Sequence, residues 1–189
     1  MSDLMLDVDQ AGELKAAFRR GGWTNQDIKR ACEGDTLARY RQVLLGHAVI
    51  TVVEYLIDLD ANPFTPNGWS VPEGFHQKGG QFKWDASKVR LHLTAQQKKG
   101  TIEGDKLREE LKGLPVFNAN LLDYLLKHPH LIPEEWKGKY VFFWGTIYRR
   151  SGAGLYVRCL CWGGGAWDWD YYWLGHDWPA GYSAAVAAL

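Results

Sequence analysis

The stretch VFFWGTIYRRSGAGLYVRCLCWGGGAWDWDYYW, residues 141–173, decides the fold. It holds three runs of β-branched and aromatic residues, cut by Ser151-Gly-Ala-Gly154 and by Gly163-Gly-Gly165, and reads as a three-stranded β-meander joined by two hairpins. Pairing Arg150 with Leu155 and Trp162 with Ala166 gathers Phe142, Trp144, Thr146, Tyr148, Leu155, Val157, Cys159 and Cys161 on one face with Trp167, Trp169, Tyr171 and Trp173. The opposite face then carries Phe143, Ile147, Tyr156, Leu160, Asp168 and Tyr172, and sets Arg158 across from Asp170. One apolar face and one charge-paired face suit a sheet covered on a single side, and a one-residue slip scatters both sets. Seven of the ten tryptophans lie from Trp136 onward, so most of them are expected in this core. Trp162, Tyr172 and Trp178 are the expected exposed exceptions, near Arg149, Arg150 and Arg158.

Upstream of the meander, helices supply the cover. Leu107 and Leu111 place a helix over 103–112, and Asn118 or Asn120 caps another whose Leu121, Leu122, Leu125 and Leu126 point inward until Pro129 forces a stop. Val89, Leu91 and Leu93 alternate with Arg90, His92 and Thr94 as a half-buried strand, and 81–85 reads as a short one. Residues 61–81 carry three prolines and four glycines, a length and composition expected of a flap or a seam between subdomains. Before it, 49–60 reads as a strand, and the first 46 residues as three short helices. The first ends at Gly21-Gly22. Thr24 caps the second, with Asp27 as capping-box partner and Trp23 stapled to Ile28, and Asp35 caps the third.

The whole is expected to be α+β: a helical unit over 1–60 ending in a strand, a Pro/Gly-rich seam over 61–81, and an 82–189 domain with helices packed on an antiparallel meander. The 189 residues hold 22 basic and 22 acidic side chains, so no global field favours nucleic acid or an anionic membrane. Cys32, Cys159 and Cys161 cannot make a disulfide framework, the start MSDLMLDVDQ is not an export signal, and no apolar run reaches a membrane span. The expectation is a cytoplasmic protein without membrane contact.

The strings Gly22-Trp-Thr-Asn-Gln-Asp-Ile-Lys-Arg30, Asn118-Ala-Asn-Leu-Leu-Asp-Tyr-Leu-Leu126, His130-Leu-Ile-Pro-Glu-Glu-Trp-Lys-Gly138 and Val141-Phe-Phe-Trp-Gly-Thr-Ile-Tyr148 carry a resemblance. Over most of its length the chain resembles a group of uncharacterised hypothetical proteins from candidate-phyla bacteria. The resemblance implies a bacterial cytoplasmic context and transfers no activity or site residue.

Candidate chemistry is thin. A helix-turn-helix outline offers Thr36, Arg39 and Arg41 to a DNA groove, although residues 1–60 hold 10 acids against 7 bases, which opposes phosphate binding. Arg149, Arg150, Tyr172 and Trp178 form a candidate aromatic and basic partner site, and aromatic faces of this kind stack on bases, sugars or proline-rich peptides. His128, His130, Glu134 and Glu135, or Cys159 with Cys161, offer metal donors without the spacing of a zinc site, so no metal and no cofactor is expected. The pairs Asp58/Asp60 and Asp168/Asp170 offer carboxylates for acid–base work, the first beside the 61–81 loop and His76. Nucleotide and nucleophile-elbow motifs are missing from the chain. The leading expectation is a non-catalytic intracellular binding or adaptor protein for an unknown protein or nucleic acid, and the alternative is a small hydrolase-like enzyme using the carboxylates beside residues 61–81.

Overall fold

Two of the first three helices start at a capping box written in the sequence. In a computed structural model, which describes residues 5–51, 53–152 and 154–188, α1 (Val8–Arg20) opens on Asp7, whose carboxylate accepts the Gln10 amide while the Gln10 side chain accepts the Asp7 amide. Helix α2 (Asn25–Ala31) repeats the exchange between Thr24 and Asp27. At α3 (Thr36–Leu44) Asp35 sits at the N-cap position without capping a backbone amide, because its carboxylate is taken by Arg39 Nε at 2.8 Å. The apolar stripe of these helices stays in solvent: Leu14, Leu37, Tyr40 and Leu44 are all exposed, and Ala31 is the one buried residue among those described up to Thr51.

The chain divides into two units between Val53 and Glu54. The second is built on β1 (Leu56–Asp58), β2 (Trp69–Ser70), β3 (Gln81–Lys83), β4 (Val89–His92), β5 (Thr101–Glu103), α4 (Gly104–Glu110), α5 (Ala119–Lys127), β6 (Tyr140–Arg150), β7 (Leu155–Gly163), β8 (Ala166–Trp173), β9 (Asp177–Pro179) and β10 (Tyr182–Ala187). Its main sheet runs β4-β10-β6-β7-β8, with β2 joined to the far end of β6. Strand β10 is parallel to β6 and antiparallel to β4, and β1–β3 and β5–β9 make two small antiparallel ribbons. The class is α+β.

Both faces of this sheet are buried, which overturns the expectation of a single covered face. On one side Leu121, Leu122 and Leu125 of α5 pack with Ile57, Val141, Phe143 and Leu160. On the other, Leu107 and Leu111 pack with Phe142, Trp144, Val157, Cys159 and Trp178. The expected register fails because each hairpin is shifted by one residue. Leu155 pairs with Arg149 rather than Arg150, and Ala166 pairs with Gly163 rather than Trp162. A one-residue shift exchanges faces. Trp167, Trp169, Tyr171 and Trp173 of β8 therefore share a side with Leu160 and Arg158, opposite Cys159, and Arg158 lies across from Tyr171 instead of Asp170. Cys159 is fully buried and Cys161 half-buried, neither on the side of the β8 tryptophans.

Strand β6 also bulges. Between the pairs Phe142–Cys159 and Ile147–Val157 it advances five residues while β7 advances two. The surplus turns toward α5: Gly145 donates its amide to Phe117 O at 2.9 Å and accepts from the Gln77 amide at 2.7 Å. A Cβ on Gly145 would lie 2.9 Å from the backbone of Asn118, so only glycine lets the strand meet the helix start this closely. Gly104 answers the same need under α4, where a Cβ would fall 2.3 Å from Leu174 O.

Residues 61–81 belong to the second unit and are not a seam. Asn118 Nδ2 donates to Leu59 O at 2.7 Å and Gln77 O at 2.8 Å, and Asn120 Nδ2 donates to Asp58 O and Ala61 O, so the start of α5 grips both ends of the loop. Trp69 and Ser70 pair with Arg150 and Arg149. Among the described residues of the strand expected over 49–60, only Leu56–Asp58 form one, paired with Lys83–Gln81, and Val52 lies outside the described residues.

Candidate binding surface on the edge strand

The sheet ends on β4 at one edge and β8 at the other, and β8 is eight residues long and rich in rings, the kind of strand that recruits another chain unless something blocks it. Two aspartates supply part of the block. Leu174 donates to Leu155 O at 2.9 Å, so by the two-residue alternation the amides of Tyr172, Asp170 and Asp168 face β7 and those of Trp167, Trp169, Tyr171 and Trp173 face outward. The two central outward amides are closed from within: Asp168 Oδ1 accepts from Trp169 N and Asp170 Oδ1 accepts from Tyr171 N, each at 2.7 Å. The carboxylates thus serve neither an ion pair with Arg158 nor an acid–base pair.

What the edge presents is a row of rings. Tyr171 and Trp173 remain 36% and 42% exposed, and Trp69 from β2 stands edge-on to Tyr171 with centroids 4.9 Å apart and 5.3 Å from Tyr156. Arg150 fixes the end of the row by donating from Nη1 to the Tyr171 hydroxyl at 3.3 Å. Tyr156 and Trp173 wall an open groove of about 550 Å³, floored by Gly152, Gly154 and Gly175 and carrying Asp105 of α4. Beneath the row Arg158 is buried, 4.3 Å over the Trp169 ring and 5.2 Å from Phe64, with both Nη atoms on the Asp123 carboxylate at 2.8 and 3.2 Å. The ion pair and the rings hold Trp169 from below.

Comparison with protein-family models, curated proteins and solved structures finds no match. The geometry alone carries the reading.

Of the residues marked from sequence, Arg150 joins this surface and Arg149 lies exposed beside it. Tyr172 faces the other side, half-buried against Trp178 and Tyr182 at 5.1 and 4.8 Å. Trp178 is a correction: it is 0% exposed, packed 4.5 Å from Phe142 and 4.7 Å from Trp144, and no partner reaches it. Trp162 is half-buried under Lys137, whose Nζ lies 4.0 Å from the ring centroid. Thr36, Arg39 and Arg41 are exposed along α3, and Arg39 is bound to Asp35.

The carboxylates beside residues 61–81 do not converge. Asp60 Oδ1 accepts the amides of Gly79 and Gly80 at 3.0 and 2.9 Å, and Asp58 accepts the Asp60 amide, so both fasten backbone. Asp58 and Asp123 line a cleft of about 350 Å³ that neither Asp60 nor His76 lines. His76 Nδ1 instead meets Thr146 Oγ1 at 2.9 Å, and Thr146 accepts the Ala119 amide. Burial holds the His76 imidazole below its ordinary pKa and Lys78 pushes the same way, against the Leu59 and Ala61 carbonyls and Asp60. His128 and His130 stack around Tyr55, whose hydroxyl lies 3.2 Å from His130 Nε2, and Glu134 pairs with Lys137. Burial raises the thiols of both Cys159 and Cys161, away from reactivity. Among the described residues no group of three His, Cys, Asp or Glu side chains is placed to hold a metal.

Sequence reasoning missed Trp69, Phe64 and Asp123. Signals existed for two of them: Trp69 is a large ring inside a Pro/Gly-rich loop, and Asp123 is the one acid on an otherwise leucine-rich helix.

Proposed function

We propose that this protein is a non-catalytic binding or adaptor protein that takes a proline-rich segment of a partner protein along the rings of β8. The observation that carries the reading is the closed edge beside open rings. A partner adding as a strand would need the amides of Trp169 and Tyr171, which Asp168 and Asp170 already occupy. The prolines of a polyproline II segment carry no backbone N–H to pair with an edge, and such a segment packs instead on aromatic faces such as Trp69, Tyr156, Tyr171 and Trp173. Asp105, at the groove, suits a basic residue next to the prolines, and with Asp168 and Asp170 it opposes the phosphates of a nucleic acid. The helix-turn-helix reading of Thr36, Arg39 and Arg41 draws less support, since Arg39 is neutralised by Asp35.

The test is a titration followed by tryptophan fluorescence, with a polyproline peptide ending in arginine and, in parallel, random single-stranded DNA and RNA at low ionic strength. The peptide should bind saturably, and Tyr171→Ala or Trp173→Ala should weaken it about tenfold or more, the loss of a contact worth over ~1.4 kcal/mol. Binding of the nucleic acid with no response to the peptide would replace the peptide reading with the nucleic-acid one.

A further inference from the structure

Where β6 bulges, the main sheet forks. Strand β10 follows β6 from Tyr140 to Phe142 and then leaves it, and the chain around His76 takes its place, pairing with Thr146. A fork leaves a crevice, because two segments that diverge from one strand cannot both fill the space between them. Helix α4 roofs it, giving a cavity of about 230 Å³ lined by Phe75, Gln77, Arg108, Lys112, Trp144 and Ile147 among others. An apolar cavity of about 150 Å³ suffices for benzene, so the space admits one ring bearing a small polar group.

The lining is asymmetric in charge. Arg108 and Lys112 enter it and no acid does. Lys112 is paired with Glu109 at 2.6 Å, but Arg108 has no carboxylate within 4.0 Å among the described residues and lies with its guanidinium carbon 4.5 Å over the Phe75 ring. Trp144, also on the lining, is 3% exposed and its indole Nε1, a donor only, is buried without an acceptor among the described residues. Leaving such a donor unpaired costs on the order of 1–3 kcal/mol. A guanidinium without a carboxylate partner, on a small cavity that no acid lines, lacks an acceptor oxygen.

We propose that this cavity is a binding site for a small organic anion, a carboxylate or phosphate on a compact apolar body, its oxyanion held by Arg108 and its body lying beside the Trp144 side chain. Leu111, Val116 and Ile147 receive the apolar body. The site is separate from the rings of β8 and stands or falls independently of the peptide reading.

Proton–nitrogen correlation spectra of the tryptophan indoles test it on the full chain, with the Trp144 resonance assigned by its loss in Trp144→Phe. Benzoate and phenyl phosphate are the two probes and benzyl alcohol the neutral control. The Trp144 indole resonance should move saturably with at least one anion, and whichever binds more tightly decides between carboxylate and phosphate. Arg108→Gln, a partly exposed change that keeps the fold, should weaken binding about tenfold or more, as removal of a charge-assisted bond does. No saturable shift with either anion, equal binding of benzyl alcohol, or unchanged affinity in Arg108→Gln would each overturn the proposal.

Discussion

Replacing Asp123 by Asn tests what holds Arg158 in place. The guanidinium is 1% exposed, while the Asp123 side chain keeps 20% of its surface in water. The two ends of this ion pair are therefore unequal. Asp123→Asn leaves a buried cation with one neutral carbonyl in place of a bidentate carboxylate, and losing one partner of a buried pair costs about 3–5 kcal/mol. The partial exposure of Asp123 and the facing rings of Trp169, Phe64 and Tyr148 soften the loss, which places it near the low end, about 3 kcal/mol. Arg158→Met leaves only a carboxylate that already meets water, and puts an apolar chain among rings that accept it, so it should cost about 1 kcal/mol or less. The double variant should recover most of what Asp123→Asn loses. In urea, with a slope of roughly 2 kcal/mol/M, Asp123→Asn should lower the unfolding midpoint by about 1.5 M and Arg158→Met by under about 0.5 M. Equal losses in the two single variants, or a double variant worse than Asp123→Asn, would refute the argument that the burial of the arginine makes the carboxylate necessary.

Further outcomes follow from other contacts. Thr24→Ala should remove about 1 kcal/mol of support from α2, and because the first unit buries so little, the loss should appear as reduced helical circular dichroism more than as a shift in the main melting transition. His76 is held below its ordinary pKa chiefly by burial, so its share of stability is present above the unfolded value of about 6.5 and falls away as the pH drops through the folded value. His76→Gln should accordingly flatten the acid side of a melting-temperature profile below about pH 6.5, a slope to which His92, depressed mainly by burial as well, contributes separately. Native thiol labelling should run in the order Cys32, Cys161, Cys159, and early modification of Cys159 would contradict its place beside Phe142 and Val157. Asp168→Ala with Asp170→Ala frees the amides of Trp169 and Tyr171, and light scattering should report self-association that the parent chain does not show.

Local chemistry made much of this fold legible. Thr24 and Asp27, Asn118, and the stop before Pro129 are decided by neighbours within a few residues, and the structure places them as the sequence does. The glycine turns likewise mark where β6, β7 and β8 end. Register was not legible, because it hangs on the turn geometry at Ser151–Gly154 and Gly163–Gly165 and on which face meets a cover. With apolar residues on both sides of β6 and β7, alternation no longer distinguishes a core side from a solvent side. The bulge at Gly145 reflects the approach of Asn118 from 27 residues earlier, which leaves no trace in the local pattern. Strand β10 escaped because Ser183-Ala-Ala-Val186 looks unlike a strand. It is made of small residues since Ala184 sits in one core and Ala185 in the other, each amid large rings. Of the binding surface, Arg150 was readable and its aromatic partners were not, since Trp69 reaches them only once residues 61–81 fold back on β6.

The place of β10 has a consequence for the order in which the chain acquires its structure during synthesis. A polypeptide leaves the ribosome from its first residue onward, at about 5–20 residues per second, and each unit folds when its parts are out. Here residues 182–187 lie between β4, laid down some ninety residues earlier, and β6, so this interior strand is still inside the exit tunnel when both of its neighbours are already free. Until those residues emerge, β4 has no partner in the sheet and one flank of β6 stays open at Tyr140–Phe142. The nascent chain must hold Phe142, Phe143 and Trp144 exposed for that interval, and a chain cut before Tyr182 would leave an aggregation-prone sheet with β4 unpaired and one flank of β6 open.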